Sequence, residues 1–240
     1  MNWLQGKVLD NRHWTETLFS LRIEAPALGF EAGQFVRIAL DIDGERIARP
    51  FSFVNPPQDP VLEFYGVIVP DGPLSPRLAR LRAGDGLYVA SNPAGFLVLS
   101  ELPDAETLWL LATGAGIAPF LSILQTPTPW QRFRNVVLVH AVRHGTELAY
   151  RDLIRKMKVR YVSFVSREAH PGSLAGRIPA AIRDGRLEKA AGLKIAPHNA
   201  QVMLCGNPDM LRDAQAALVE RGLKKHRRRN PGQISVESFW

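Results

Sequence analysis

The chain has 240 residues, 46% of them hydrophobic and 22% charged, which is enough for one large or two modest globular domains and excludes disordered or collagen-like structure. Charge is uneven: residues 1–100 hold 9 Lys and Arg against 11 Asp and Glu, and residues 101–240 hold 21 against 12. A lone cysteine, Cys205, excludes an internal disulfide, a four-thiolate zinc site and a cysteine-held iron–sulfur cluster, so any electron carrier is organic or sits on a partner.

Along the first part, Lys7–Leu9, Leu18–Ile23, Phe35–Leu40, Phe51–Val54, Leu62–Val69 and Leu87–Ala90 are apolar or alternating stretches of strand length. Turn residues separate them at Glu31-Ala-Gly33, Asp41-Ile-Asp-Gly44, Asn55-Pro-Pro57 and Asp71-Gly-Pro73. Six short strands so spaced predict a closed antiparallel β-barrel. One helix interrupts it over Ser75–Leu81, with Ser75 as its cap and Pro76 in its first turn.

After Pro103 the rhythm changes. Thr107–Ala112, Asn135–Ala141, Arg160–Val165 and Gln201–Leu204 are dense apolar runs of the kind buried on both faces. Helical stretches fall between and after them at Pro119–Leu124, Glu147–Met157, Leu174–Asp184 and Asp209–Gly222. Alternation of this sort predicts a doubly wound parallel α/β domain. The fold class is therefore a two-domain β plus α/β protein, divided near Ser100–Asp104 into residues 1–100 and 101–240. No run approaches the roughly 18 apolar residues of a membrane span and MNWLQGKVLDNRHW lacks an apolar signal core, so a cytoplasmic protein is expected. The basic run Arg221-Gly-Leu-Lys-Lys-His-Arg-Arg-Arg229 reads equally as a solvated helix end or as a docking face.

Four segments carry chemistry. The strand ending at Ala112 runs into Thr-Gly-Ala-Gly-Ile-Ala-Pro119, where glycines allow close approach of a ligand and the following helix start favours an anion such as a pyrophosphate. It is neither G-x-G-x-x-G nor a Walker sequence. In Arg49-Pro-Phe-Ser52 an arginine can neutralise a phosphate, an aromatic can cover a flat ring and a hydroxyl can bond a heteroatom. Cys205-Gly-Asn-Pro208 closes a buried strand, and ligands of open α/β sheets sit beyond the carboxyl ends of strands. Val236-Glu-Ser-Phe-Trp240 puts two aromatics at the end of the chain, where fraying and polar residues are usual.

With a G-x-x-S turn at Gly72–Ser75, these segments occur in one order that resembles the ferredoxin–NADP⁺ reductase superfamily, and specifically the bacterial flavodoxin/ferredoxin–NADP⁺ reductases. The resemblance covers nearly the whole chain. It implies FAD in the barrel, with Arg49 at the pyrophosphate, Pro50 beside it, Phe51 on one flavin face and Ser52 near N5. Gly66, Val67 and Ile68 would add backbone contacts, as would Pro73, Leu74, Ser75 and Pro76, with Leu74 and Ser75 at the phosphates. Ser238, Phe239 and Trp240 would close the FAD site, Phe239 over the second flavin face and Trp240 on the adenine.

Two departures stand out: Phe51 replaces a frequent tyrosine, and Ala115 occupies a position often held by threonine, which makes it a weaker FAD contact. For NADP(H), the matching positions are Gly114, Gly116, Val142, Arg143, Ser166, Arg167, Arg177, Cys205, Gly206, Asn207 and Pro208. Three arginines and a serine there favour a 2′-phosphate over a bare ribose. Ser52, Cys205 and Glu237 would line the point of hydride transfer in orienting and electrostatic roles, with Glu237 a proton conduit. No catalytic metal is implied. The implied partners are acidic flavodoxin or ferredoxin, met by the basic second part of a monomer. Two alternatives are the reductase component of an oxygenase and, from another class, a basic nucleic-acid-binding protein, although neither nucleic acid nor membrane is the expected partner.

Overall fold

The computed structural model describes residues 2–238 and builds them into two six-stranded sheets. The first contains β1 (Trp3–His13), β2 (Leu18–Glu24), β3 (Phe35–Ile42), β4 (Glu45–Ser52), β5 (Val61–Val67) and β6 (Gly86–Ala90). They are ordered β4-β3-β6-β1-β2-β5, and every pairing is antiparallel. Just past β4, Phe53 bridges Phe64 of β5, and the Val54 N–H donates to Glu63 O, so the two end strands meet and the sheet curls into a barrel. Val8, Phe19, Leu21, Ile23, Val36 and Ile38 fill it.

The hairpin from β3 to β4 is set by Asp43 and Gly44, at φ 52° and 85°. Positive φ at both central residues gives the tight two-residue loop that matches strand twist, and Asp-Gly suits it. β4 consequently starts at Glu45, six residues before the stretch expected from its apolar end. Likewise β1 spans Trp3–His13, although only Gly6 and Val8 along it are buried. The short helix α1 (Ser75–Leu78) differs at its start, because Leu74 is the N-cap and makes no side-chain bond. The Ser75 hydroxyl accepts from the Val69 N–H at 2.9 Å, tying down the preceding turn rather than capping the helix. The Asn11 amide fixes the other end by donating to Leu78 O, Ala79 O and Leu81 O.

The second sheet is wholly parallel, ordered β10-β9-β8-β7-β11-β12. Its strands are β7 (Thr107–Thr113), β8 (Asn135–Val142), β9 (Arg160–Val165), β10 (Leu174–Ala175), β11 (Ala200–Gly206) and β12 (Ile234–Ser238). On one face lie α2 (Ala118–Leu124), α3 (Thr128–Arg132) and α4 (Arg151–Arg155), with Phe120, Leu121, Trp130 and Ile154 among the packed residues. On the other lie α5 (Ile178–Arg183), α6 (Arg186–Ala191) and α7 (Pro208–Glu220), through Ile182, Leu187 and Leu218. Where one helix was expected over Leu174–Asp184, Gly176 at φ 94° breaks the segment into β10 and α5. The expected helix over Glu147–Met157 is shortened to α4, preceded by Tyr150 at φ 60°.

Chain order departs in two directions from β7: β8, β9 and β10 lie to one side, β11 and β12 to the other. That makes the carboxyl ends of β7 and β11 the topological switch point, where open α/β sheets form a crevice. The barrel packs against this end. Leu18, Val54, Tyr65 and Leu97 share one apolar core with Leu110, Ala112, Phe120 and Cys205. The Ser122 hydroxyl donates to Asn55 O, the Gln125 amide to Val54 O, and the Tyr150 hydroxyl to Glu63, at 2.7, 2.7 and 2.8 Å. Among the described residues, no helix is long and apolar enough to cross a membrane.

Candidate active site

Three chain segments converge at the switch point. The glycine turn after β7 (114–117), the Cys205-Gly-Asn-Pro turn after β11 and the end of β12 stand side by side, with Cys205 in register with both Ala112 and Glu237. Close packing dictates the glycines. A Cβ on Gly116 would lie 2.5 Å from Cys205 O, and one on Gly206, at φ 130°, would lie 2.2 Å from the Thr113 hydroxyl. That hydroxyl accepts from the Asn207 N–H at 2.8 Å and so locks the two turns together. Asn207 then caps α7, its side chain accepting from the Asp209 and Met210 N–H groups.

Facing these turns is the end of β4. Phe35, Pro50, Ser52, Glu237 and Ser238 line a small pocket of about 50 Å³. Ser52 is buried and Glu237 is half-buried. Burial raises the Glu237 carboxyl to about 7, although the Phe96 N–H partly offsets this by bonding it. Buried Cys205 is driven well above the ordinary thiol range, first by burial and then by the Glu237 charge. It is therefore neutral at physiological pH, fully buried at the end of β11. Behind Ser52, the buried Phe51 ring leans on Gly66, where a Cβ would come within 2.8 Å of it. Arg49 is exposed, its guanidinium donating to Ala48 O and having no carboxylate partner among the described residues.

The remaining positions form two flanks. Val67 ends β5, and the N–H of the following Ile68 donates to Thr17 O. Pro73, Ser75 and Pro76 ring the start of α1, while the Leu74 side chain is buried in the barrel, so only its backbone can face a ligand. On the far flank, Val142 ends β8 and its carbonyl accepts from the Ser166 hydroxyl. The Arg167 N–H donates to Arg143 O, which puts the two arginines side by side; Arg177 lies at the start of α5. All three arginines are exposed and none has a carboxylate partner among the described residues. The nearby acids bond backbone instead. Glu147 accepts from the Arg143 and His144 N–H groups, and Glu168 from the Gly145 N–H and the His144 ring. Phe239 and Trp240 lie outside the described residues.

Sequence reading missed Phe35, Thr113 and the Glu147–Glu168 supports. A threonine closing an apolar strand immediately before a glycine turn was the available signal for Thr113. The others depend on contacts between distant segments. The basic run also proved more constrained than a helix end. α7 stops at Glu220, Arg221 bonds Glu188, and Arg228 forks onto Glu101 while lying 4.3 Å over the exposed Phe96 ring.

Known proteins carry the same two-unit arrangement. An oxidoreductase FAD-binding domain model matches residues 10–97, and an oxidoreductase NAD-binding domain model matches residues 110–216. A flavodoxin/ferredoxin–NADP reductase from Shigella flexneri is 52% identical, the alignment covering 100% of this chain and 99% of the relative. The chain belongs to the flavodoxin/ferredoxin–NADP reductase family. The Escherichia coli member is 51% identical over the same shares. A ferredoxin NADP⁺ reductase structure from Neisseria gonorrhoeae with bound FAD and NADP superposes with TM-score 0.97 at 36% identity, covering 100% of both chains.

Proposed function

We propose that this chain is an FAD-dependent reductase that takes hydride from NADPH and delivers electrons to flavodoxin or ferredoxin. The observation that carries the reading is the convergence of Ser52, Glu237, Cys205 and the glycine turn at one switch-point cleft in a chain matched end to end by such reductases. The residues fit the two cofactors chemically. A hydroxyl and a carboxyl open onto the cleft, an exposed guanidinium stands beside them, and three carboxylate-free arginines flank it. Residues 1–100 form the FAD unit and 101–240 the NADP unit.

Arg49 and the backbone from Pro73 to Pro76 hold the FAD phosphates, while Pro50, Phe51, Ser52, Gly66, Val67, Ile68, Ala115 and Ser238 form its bed. Gly114, Gly116, Gly206, Asn207 and Pro208 receive the dinucleotide. Val142, Arg143, Ser166, Arg167 and Arg177 receive its 2′-phosphate. FAD supplies the hydride acceptor and the one-electron donor. Ser52 donates its hydroxyl proton toward the reacting ring, buried Cys205 keeps water from that point, and Glu237 holds or releases a proton near neutral pH. The surplus of Lys and Arg beyond residue 100 meets an acidic carrier, raising its encounter rate. The working unit is a cytoplasmic monomer.

The test is NADPH-driven reduction of purified flavodoxin or ferredoxin, followed by absorbance. Turnover that falls as salt rises supports the reading. FAD-loaded protein that oxidises NADPH but reduces neither carrier at any salt concentration contradicts it.

A further inference from the structure

Beneath the glycine turn lies a fully buried histidine, His140. His140 stands on β8, in register with Ala112 of β7 and Ser163 of β9, and no part of it reaches solvent. Its strand neighbours are Leu138, Val139, Ala141 and Val142, all buried. Burial holds the ring down to about 4, so it is neutral at physiological pH and carries a single N–H. Nε2 lies 3.1 Å from Gly114 O. A carbonyl only accepts, so the proton is on Nε2. The other nitrogen, Nδ1, is buried with no partner among the described residues. An aliphatic side chain would avoid that unpaired nitrogen. What the imidazole alone supplies is one hydrogen bond, directed at the glycine turn.

That bond acts on the first peptide of the turn. Gly114 opens a 3-10 turn over 114–117 at φ 52°, a conformation glycine adopts without strain, and a Cβ there would meet nothing within 4 Å. Gly114 C=O and Ala115 N–H belong to one planar trans unit and point in opposite directions. Drawing the carbonyl onto β8 therefore turns the Ala115 N–H away from His140. From the adjacent side, Thr113 locks the same turn to Asn207.

We propose that His140 is a positioning residue for NADP(H): its Nε2–H holds the Gly114–Ala115 peptide in the orientation with which Gly114 and Gly116 receive the dinucleotide. This rests on the reading that the 114–117 turn receives that cofactor.

The experiment compares His140→Leu, which removes the donor, with His140→Gln, whose amide restores one. NADP⁺ affinity is read from the perturbation of the bound flavin spectrum, alongside FAD content and melting temperature. Expected results are a Kd for NADP⁺ about tenfold weaker in His140→Leu, within about threefold of wild type in His140→Gln, and full FAD content in both. Unchanged affinity in His140→Leu overturns the proposal. Equal losses in both variants with reduced FAD content or melting temperature also overturn it, because they mark a residue needed only for packing. Wild-type protein that binds FAD but not NADP⁺ overturns the functional reading itself. A second measurement needs no variant: ¹⁵N NMR of the wild-type ring should show the Nε2–H tautomer, with a slowly exchanging proton that shifts on adding NADP⁺. The Nδ1–H tautomer contradicts the proposal.

Discussion

Cys205 and Glu237 are register partners on the neighbouring parallel strands β11 and β12, and the Glu237 charge adds to burial in keeping the Cys205 thiol protonated. A neutral sulfur thus stands beside a carboxyl that titrates near neutrality. The thiol is fully buried, and the carboxyl, which lines the pocket, is the group there able to exchange a proton at working pH.

Glu237 gives a pH dependence with a defined sign. Its folded value is raised to about 7 by burial, against an ordinary 4.5. The folded state prefers the protonated form, so this contribution to stability is complete below about pH 4.5 and lost as pH rises through 7. The melting temperature of Glu237→Gln minus that of wild type should accordingly increase by about 2–6 °C between pH 5 and pH 8. Scanning fluorimetry across that range checks it, and a constant difference would show that the carboxyl titrates as an ordinary exposed acid.

The arginine flank sets the choice of nicotinamide cofactor. Arg167→Ala combined with Arg177→Ala should raise the KM for NADPH at least about tenfold, since charge-assisted bonds to a phosphate are lost. The KM for NADH, which has no 2′-phosphate, should stay within about twofold. Steady-state kinetics with both cofactors decides the matter, and equal effects would remove these arginines from the phosphate site.

Tyr150 and Glu63 join the two units. The Tyr150 hydroxyl donates to Glu63 at 2.8 Å, and its ring packs at a tilt against Trp14, centroids 4.7 Å apart. Tyr150→Phe keeps the ring but leaves a half-buried carboxyl without that donor, a loss of about 1–3 kcal/mol. The melting temperature should drop by about 3–8 °C with FAD content intact. An unchanged melting temperature would mean that water replaces the hydroxyl without cost.

How much of this was legible in the sequence follows physical lines. The parallel strands were plain because both faces of each are buried, as in Leu108–Ala112 and Val136–Ala141. The barrel strands were read short because one face meets water. β4 begins Glu-Arg-Ile-Ala-Arg and announces itself only through the Asp43-Gly44 hairpin before it. β12 went unrecognised as a strand, since Ile234–Ser238 is brief and its pairing partner lies some thirty residues upstream. At the site, the local motifs were legible as positions in the fold: Gly116 lies in the turn after β7, Asn207 caps α7 after β11, and Ser52 ends β4. Residues acting across the fold were not. His140 looked like one more member of an apolar strand, and only its contact with Gly114 distinguishes it.

The most direct test of the central claim is an anaerobic absorbance titration of the purified protein with NADPH and, separately, NADH. The expected result is a yellow protein whose flavin bands bleach at low NADPH and need far more NADH, because hydride acceptor and 2′-phosphate site reside in one chain. A colourless protein that takes up no added FAD, or a flavin bleached equally by both cofactors, would contradict it.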